Sequence, residues 1–324
     1  MPNQAPQKAL GKKLSNTSAT GDRIWQQAEK LFAAGHKEQA LVRYKRFLDH
    51  HPDDITAILR VGAITLQIGD AQEALPYFHK VAALAPNDPS NQFNLAVNYI
   101  RLGDADEGKK YTDLTLELDP NYVKALIQRA SDKLSNELYD DTLEITARIL
   151  TLEPDNILAY QLKLSCLGDL DRIDDLEHTL AEMEKSLTLS AINLQLIAEI
   201  CRKAGLTDKA IVFFKEAIAL DHTLYASYNN LATLLNGQDR LDEGQEILTK
   251  ALKIFPDVAQ LYVSMSSNAG KRGEYQDAVN YAEKAIQLDP DYAAPYISIG
   301  FALNKVGQYK EAALVLEKAL QLDP

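Results

Sequence analysis

Residues 293–324 read AAPYISIGFALNKVGQYKEAALVLEKALQLDP, and this one segment contains the pattern that decides the fold. From Tyr296 onward, apolar or small residues stand at i, i+3, i+4 and i+7, which is the spacing of one face of an amphipathic helix. Gly307 interrupts that face, a second apolar stripe runs from Ala312 to Ala319, and Leu-Asp-Pro ends it. The segment therefore predicts a hairpin of two helices, which we call helix A and helix B.

The same hairpin pattern recurs every 34 residues along the chain. Seven of the nine copies have a proline at the same position of this 34-residue period, and Thr188 and His222 occupy that position in the other two. Because the count holds without insertion from Gly21 to Pro324, the sequence predicts stacked units rather than one closed core. The seven prolines are Pro52, Pro86, Pro120, Pro154, Pro256, Pro290 and Pro324.

Two positions inside the unit are small in most copies. We number the positions of each unit as slots 1 to 34, starting at Gly21. Slot 8 holds Ala, Gly or Ser in all units but the fifth, and slot 20 holds Ala or Gly in all but the fourth and fifth. Small residues there let helices A and B approach closely, so that larger neighbours interlock between units.

This combination of slots resembles the tetratricopeptide repeat, whose pattern of aromatic, Leu-Gly, Tyr, Ala, Phe, Ala and Pro residues is matched across residues 21–324. The resemblance implies an all-α fold, a right-handed superhelical solenoid of nine antiparallel helix-turn-helix repeats. The expected repeats, numbered 1 to 9, are 21–54, 55–88, 89–122, 123–156, 157–190, 191–224, 225–258, 259–292 and 293–324.

The two ends of the sequence differ from the repeats. Residues 1–20 are polar and predict a flexible leader. The alternative is an arm that folds back into the array's own groove through Leu10 and Leu14. A solenoid normally covers its last apolar face with a polar helix, whereas this sequence stops at the Leu-Asp-Pro signal. We therefore expect either a longer protein or another molecule over that face.

The array is irregular around residues 123–190. Repeat 5 places Leu164 and Leu176 at the two small slots, and it has Asp171 where glycine is commonest. Bulk at both slots should push the two helices apart. We expect a change of superhelical pitch or a hinge in this region, with sequence drift at unchanged geometry as the alternative.

Composition limits the classes of function. The net charge of -12 and the lack of a Lys/Arg-rich run disfavour binding to nucleic acid. No apolar run approaches the roughly 20 residues of a membrane helix, so we expect no membrane insertion and a cytoplasmic location. Cys166 and Cys201 are predicted to be buried free thiols.

No set of residues predicts a catalytic, cofactor or metal site. The six histidines are scattered over different repeats, and His50 and His51 occupy a turn where adjacent side chains diverge. The aspartates between Asp169 and Asp175 lack the glycine and the terminal glutamate of a calcium loop. We therefore expect no enzymatic activity within these residues and no bound cofactor.

The predicted binding surface is the inner wall of the array. In resembling arrays the concave face is built from helix A at slots 2, 5, 9, 12 and 13, and apolar side chains there would be exposed until a partner covers them. In the middle repeats these slots are mostly polar. The predicted groove residues are Trp25, Phe32, Leu59, Phe93, Val97, Ile100, Ile127, Leu134, Asn229, Ile297 and Phe301.

Slot 13 carries a cation in four repeats, as Arg101, Lys203, Lys271 and Lys305. These residues either form a basic ridge for an acidic segment or complement the dipole at the end of helix A. Both interpretations stay open on the sequence.

The sequence therefore predicts a scaffold that binds a peptide or helical segment of a partner protein in its concave groove. The alternative is the substrate-recruiting N-terminal array of a longer enzyme, since arrays that resemble this one precede glycosyltransferase and sulfotransferase domains. Self-association through the uncapped C-terminal face is a third interpretation.

Overall fold

The computed structural model describes residues 21–323, which are helical apart from short turns and contain no β-strand. The predicted leader, residues 1–20, lies outside the described residues. The chain divides into two compact units, Met1–Pro154 and Asp155–Pro324.

In the first unit the helices are α1 (residues 21–33), α2 (Lys37–Leu48), α3 (Ile55–Gln67), α4 (Ala71–Leu84), α5 (Pro89–Arg101), α6 (Ala105–Leu118), α7 (Val123–Ser135) and α8 (Tyr139–Leu152). In the second unit they are α9 (Ile157–Asp169), α10 (Ile173–Ser186), α11 (Ala191–Lys203), α12 (Thr207–Leu220), α13 (Tyr225–Gly237), α14 (Leu241–Ile254), α15 (Ala259–Arg272), α16 (Tyr275–Leu288), α17 (Ala293–Lys305) and α18 (Tyr309–Leu322).

Within each unit the helices pack in the order of the chain. Each odd-numbered helix is an A helix, and from α3 onward it packs against the B helix that follows it; α1 contacts α2 through Trp25 and Tyr44. Neighbouring A helices also touch, as α9 does with α11 and α13 with α15. Contacts of this kind, made only between neighbours, define stacked helical hairpins. The prediction of an all-α tandem repeat is confirmed.

The turn between helices A and B has one conformation throughout the described repeats. Slot 15 has a positive φ in every copy, and glycine occupies it in six of them, with φ between 76° and 101°. Glu137, Asp171 and Asp239 adopt the same left-handed region at φ of 55° to 57°. These three side chains tolerate a backbone conformation that glycine adopts without strain.

The small slots lie in the core of each hairpin, as predicted. Ala28 and Ala40, at slots 8 and 20 of the first hairpin, are both fully buried. A methyl group at Gly62 would lie 3.0 Å from the ring of Phe78, so a small residue at slot 8 makes room for the large one at slot 24. In the irregular repeat 5, Leu164 and Leu176 are also fully buried. The predicted change of pitch or hinge around residues 123–190 stays a hypothesis.

Candidate functional site

The predicted groove residues are less accessible than the sequence indicated. Nine of the eleven are half-buried, and only Ile297 and Phe301, exposed by 54% and 47%, present large apolar surfaces to solvent. Lys305 lies over the Phe301 ring, with its Nζ 5.3 Å from the ring centroid. Ile127 and Leu134 are among the half-buried residues. Most of the predicted wall is therefore partly covered by the repeats themselves.

Trp25 and Ile100 depart from the expectation that groove residues lie outside the core between helices A and B. The Trp25 ring packs against Tyr44 and Phe47 of α2, with centroids 5.2 Å away in both cases. A methyl group at Gly108 would lie 2.6 Å from Ile100 Cγ1, so Ile100 fills the space that glycine leaves at slot 20. Both side chains join the hairpin core because burying apolar area against helix B is favourable.

Other predicted groove residues pack against residues of the same compact unit. Leu59 and Val97 lie partly buried against the cluster of Leu66, Ala74, Phe78 and Leu95. The Phe93 ring is 5.4 Å from the Tyr122 ring, which precedes α7. The guanidinium of Arg60, on α3, lies 5.1 Å from the centroid of the Phe32 ring on α1. The cluster therefore joins repeats 2 and 3, and the contact of Arg60 with Phe32 joins repeats 1 and 2, whereas Phe93 packs against Tyr122 of its own repeat.

In the second unit, amide side chains at slot 5 make hydrogen bonds to the next repeat. Gln161 Nε2 donates to Asn193 Oδ1 at 3.4 Å. Asn229 Oδ1 accepts a hydrogen bond of 2.6 Å from Ser264 Oγ. The polar residues of the middle repeats therefore connect neighbouring A helices, the same contact that apolar residues make in the first unit.

Two of the slot 13 cations hydrogen-bond to the A helix of the preceding repeat. Arg101 Nη1 donates to the Leu66 carbonyl at 3.0 Å, and Lys271 Nζ donates to the Asn236 carbonyl at 2.6 Å. Each acceptor lies in the last turn of its helix and also accepts a longer hydrogen bond of 3.3 Å from a backbone N–H of the following turn, Leu66 from Gly69 and Asn236 from Asp239. This finding favours the helix-end interpretation for these two cations, with the preceding helix as the one that is stabilised.

The sequence interpretation missed an exposed aliphatic patch in the second unit. Leu158, Ile192 and Leu196 are exposed by 50%, 60% and 44%, and Leu162 beside them is half-buried. We call these four residues the aliphatic patch. They occupy slots 2 and 6 of repeats 5 and 6, which are the first and second turns of α9 and α11.

A comparison of equivalent slots would have found this patch. In the other seven repeats, slots 2 and 6 hold polar, charged or alanine side chains. Slot 2 holds Asp22, Thr56, Ser90, Lys124, Ala226, Gln260 and Ala294, and slot 6 holds Gln26, Arg60, Asn94, Gln128, Asn230, Ser264 and Ser298. Large aliphatic residues at both slots are therefore confined to repeats 5 and 6.

A cleft of about 250 Å³ continues from the patch between α9 and α11. Gln161, Ser165 and Gly168 line it from α9, and Leu196, Glu199 and Lys203 are among the residues that line it from α11. A methyl group at Gly168 would lie 3.4 Å from the Ala204 side chain, so α9 and the C-terminal end of α11 approach each other closely there. The surface is thus aliphatic at the N-terminal ends of the two helices and polar at their C-terminal ends.

The charged side chains that line the cleft differ in whether they form hydrogen bonds or ion pairs with other residues. Glu199 Oε2 accepts a hydrogen bond of 2.9 Å from Arg202 Nε, and Glu199 Oε1 accepts one from Asn230. Lys203 forms no ion pair or hydrogen bond within residues 21–323. It is therefore available to a ligand in a way that Glu199 and Arg202 are not.

The cysteines and acidic groups do not form a reactive site in the described part of the chain. Burial raises the pKa of the Cys201 thiol to about 12, so the thiol stays protonated at neutral pH. Within residues 21–323 no cluster of His, Cys, Asp and Glu side chains has the arrangement of a metal site. No helix in this range is both long and apolar enough to cross a membrane.

Stacked helical hairpins with an exposed patch on their A helices define a repeat protein of the protein-binding class. Models of the family described as tetratricopeptide repeat match residues 26–89, 65–130, 223–291 and 271–324, which together are more than half of the chain. The chain belongs to the tetratricopeptide repeat family, as the resemblance implied. Repeats of this family generally mediate protein–protein interactions, and arrays built only from them are typically non-catalytic.

Comparisons with individual proteins add little. A search of curated proteins finds no match. Among solved structures, the crystal structure of MamA protein aligns with a TM-score of 0.40 at 17% identity, covering 63% of this chain and 93% of that chain. A likeness this low carries no argument about the function of either protein.

Proposed function

We propose that this protein is a cytoplasmic interaction module that binds a segment of a partner protein along the surface of its A helices. The aliphatic patch carries the proposal, because its residues are exposed where seven other repeats have polar or small ones. Fully burying a large apolar side chain gains roughly 1.5 to 3 kcal/mol, and a partner that covers these half-exposed residues would recover about half of that for each one. A few such anchors are enough for the central contact of a protein interface.

The groove residues predicted from the sequence have different roles in the proposed complex. Ile297 and Phe301, which are exposed, serve as direct contacts for the partner. Among the half-buried residues, Asn229 forms a wall beside the segment in the second unit. Phe32, Leu59, Phe93, Val97, Ile127 and Leu134 offer a separate contact surface on the first unit. Trp25 and Ile100 act as core residues because they pack against helix B. The proposal involves no chemical step.

Site-specific photocrosslinking tests the location of the interface. A photoreactive benzoyl-phenylalanine replaces Ile192 on the A-helix surface, and in a second variant it replaces Val212 of α12. Val212 is a matched control because it is an aliphatic residue exposed by 51% on a B helix of the same repeat. We expect a discrete covalent adduct in cells from position 192 and none from position 212.

A second substitution checks that the adduct reports binding to the patch. Replacing both Leu158 and Leu196 with serine should remove the adduct formed at position 192 while the helical circular dichroism is unchanged. Adducts of equal intensity at positions 192 and 212, or an adduct at 192 that persists after the double substitution, would place the interface elsewhere.

A further inference from the structure

We infer that the α9–α11 surface takes a segment of a partner protein that carries two aliphatic side chains followed by a carboxylate. This inference rests on the proposed function and specifies the chemistry of the partner. It combines two observations: the aliphatic patch at one end of the surface and the unpaired Lys203 at the other.

The spacing within the patch fits alternate residues of an extended chain. Ile192 and Leu196 are four residues apart on α11, which is about 6 Å along the helix axis. Alternate side chains of an extended segment point the same way and are about 6.6 Å apart. Two aliphatic residues at i and i+2 of the segment would therefore contact successive turns of α11, with Leu158 and Leu162 facing them from α9.

Lys203 lies on the same face of α11 as Leu196, about 10 Å further along the axis, because seven residues make nearly two turns. Both residues line the cleft. Arg101 and Lys271 occupy the equivalent slot in other repeats and hydrogen-bond to a carbonyl of the preceding A helix. Lys203 makes no such bond within the described residues, so its charge is unused by the fold.

Charge complementarity assigns an acidic group to that end of the segment. The carboxylate of Glu199 already engages Arg202 and Asn230, so it does not neutralise Lys203. The carboxylate must point the same way as the side chains at i and i+2, so it lies at i+4, about 6.6 Å beyond the second aliphatic residue, and the long Lys203 side chain spans the remaining distance. Asp169 also lines the cleft from α9 and would oppose an acidic ligand. Its removal should therefore tighten binding.

The probe is a fluorescein-labelled dodecapeptide with Leu-Gln-Leu-Ser-Asp at its centre, titrated with the whole chain and followed by fluorescence anisotropy. We expect Lys203→Glu to weaken binding about tenfold and a probe with Lys in place of Asp to restore it. Asp169→Asn should strengthen binding of the acidic probe about threefold. Lys284→Glu, an exposed change of the same charge on α16, is the control and should leave binding within twofold.

Each contrary result has a defined meaning. If the Asp and Lys probes bind equally to both forms of residue 203, or if the chain binds no probe up to millimolar concentration, the inferred chemistry is wrong. If Asp169→Asn weakens binding and Lys203→Glu does not, the segment is basic instead. The crosslink at position 192 does not depend on these peptides, so its loss would contradict the proposed function separately.

Discussion

The interface between repeats 2 and 3 and the interface between repeats 7 and 8 each bury an asparagine at slot 10, Asn98 in the first and Asn268 in the second. The hydrogen bonding of the two side chains differs. Asn268 Nδ2 donates to Asn236 Oδ1 at 2.6 Å and to the Leu241 carbonyl at 2.8 Å. Asn98 is fully buried, and neither atom of its side-chain amide has a hydrogen-bond partner within residues 21–323. Both asparagines are buried because they occupy the same slot, but within residues 21–323 only Asn268 has hydrogen-bond partners for its side chain.

The difference comes from the neighbouring residue in the preceding repeat. Slot 12 holds Asn236 before Asn268 and Leu66 before Asn98, and a leucine side chain cannot accept a hydrogen bond. The two interfaces otherwise share the bond from the slot 13 cation to the slot 12 carbonyl. The position within the repeat therefore determines whether a side chain is buried. The residue opposite it in the preceding repeat determines whether the buried group finds a hydrogen-bond partner.

The largest expected effect is that of Asn268→Leu. This change leaves Asn236 Oδ1 without its buried donor and removes the bond to the Leu241 carbonyl, each at a cost of about 1 to 3 kcal/mol. We expect the free energy of unfolding to fall by about 2 to 3 kcal/mol, measured by urea denaturation followed by circular dichroism. A loss below about 0.5 kcal/mol would show that the two hydrogen bonds contribute nothing net.

The equivalent change in the other interface should have the opposite sign. Asn98→Leu removes a buried amide that has no partner among the described residues, together with its desolvation penalty. We expect the free energy of unfolding to rise by about 1 kcal/mol in the same assay. If Asn98→Leu instead destabilises the protein as much as Asn268→Leu does, the two interfaces are equivalent and the comparison fails.

The smallest expected effects concern slot 13. Arg101→Met and Lys271→Met each remove one hydrogen bond to a helix-end carbonyl and should lower the free energy of unfolding by about 1 kcal/mol. Lys203→Met should change it by less than about 0.5 kcal/mol, because Lys203 makes no such bond in the described chain. Thermal unfolding of the three variants side by side measures the difference. Equal losses would mean that Lys203 stabilises the fold, leaving it unavailable to a ligand.

The period made the fold predictable from the sequence. Each repeat packs only against its neighbours, so one pattern describes every repeat. The small residues at slots 8 and 20 and the recurring proline were therefore sufficient to predict stacked helical hairpins. In repeat 9, α17 and α18 contain the two predicted apolar stripes and extend a few residues beyond both ends of each, with Gly307 in the turn between them. Residues such as Ala28 and Ala40 pack in the hairpin core, as expected.

The candidate site was less predictable, since accessibility depends on side-chain packing across repeats. Ile100 was predicted to face a groove, whereas its direction follows from the glycine at Gly108. Asn229 was predicted as a groove residue, whereas its side chain accepts a hydrogen bond from the next A helix, as the equivalent Gln161 donates one. The aliphatic patch at Leu158 and Ile192 was visible only in a comparison of one slot across all repeats.

The left-handed residue at slot 15 has a consequence for how such a chain can change in length. Each turn is closed by a single residue with positive φ, so replacing Gly103 by a residue like Glu137 preserves the connection. One residue added inside a helix would rotate the residues after it by about 100° about the helix axis, moving the small slot out of the hairpin core. Single-residue insertions and deletions are therefore disfavoured within the helices, and duplication or loss of an entire hairpin is the route that conserves packing.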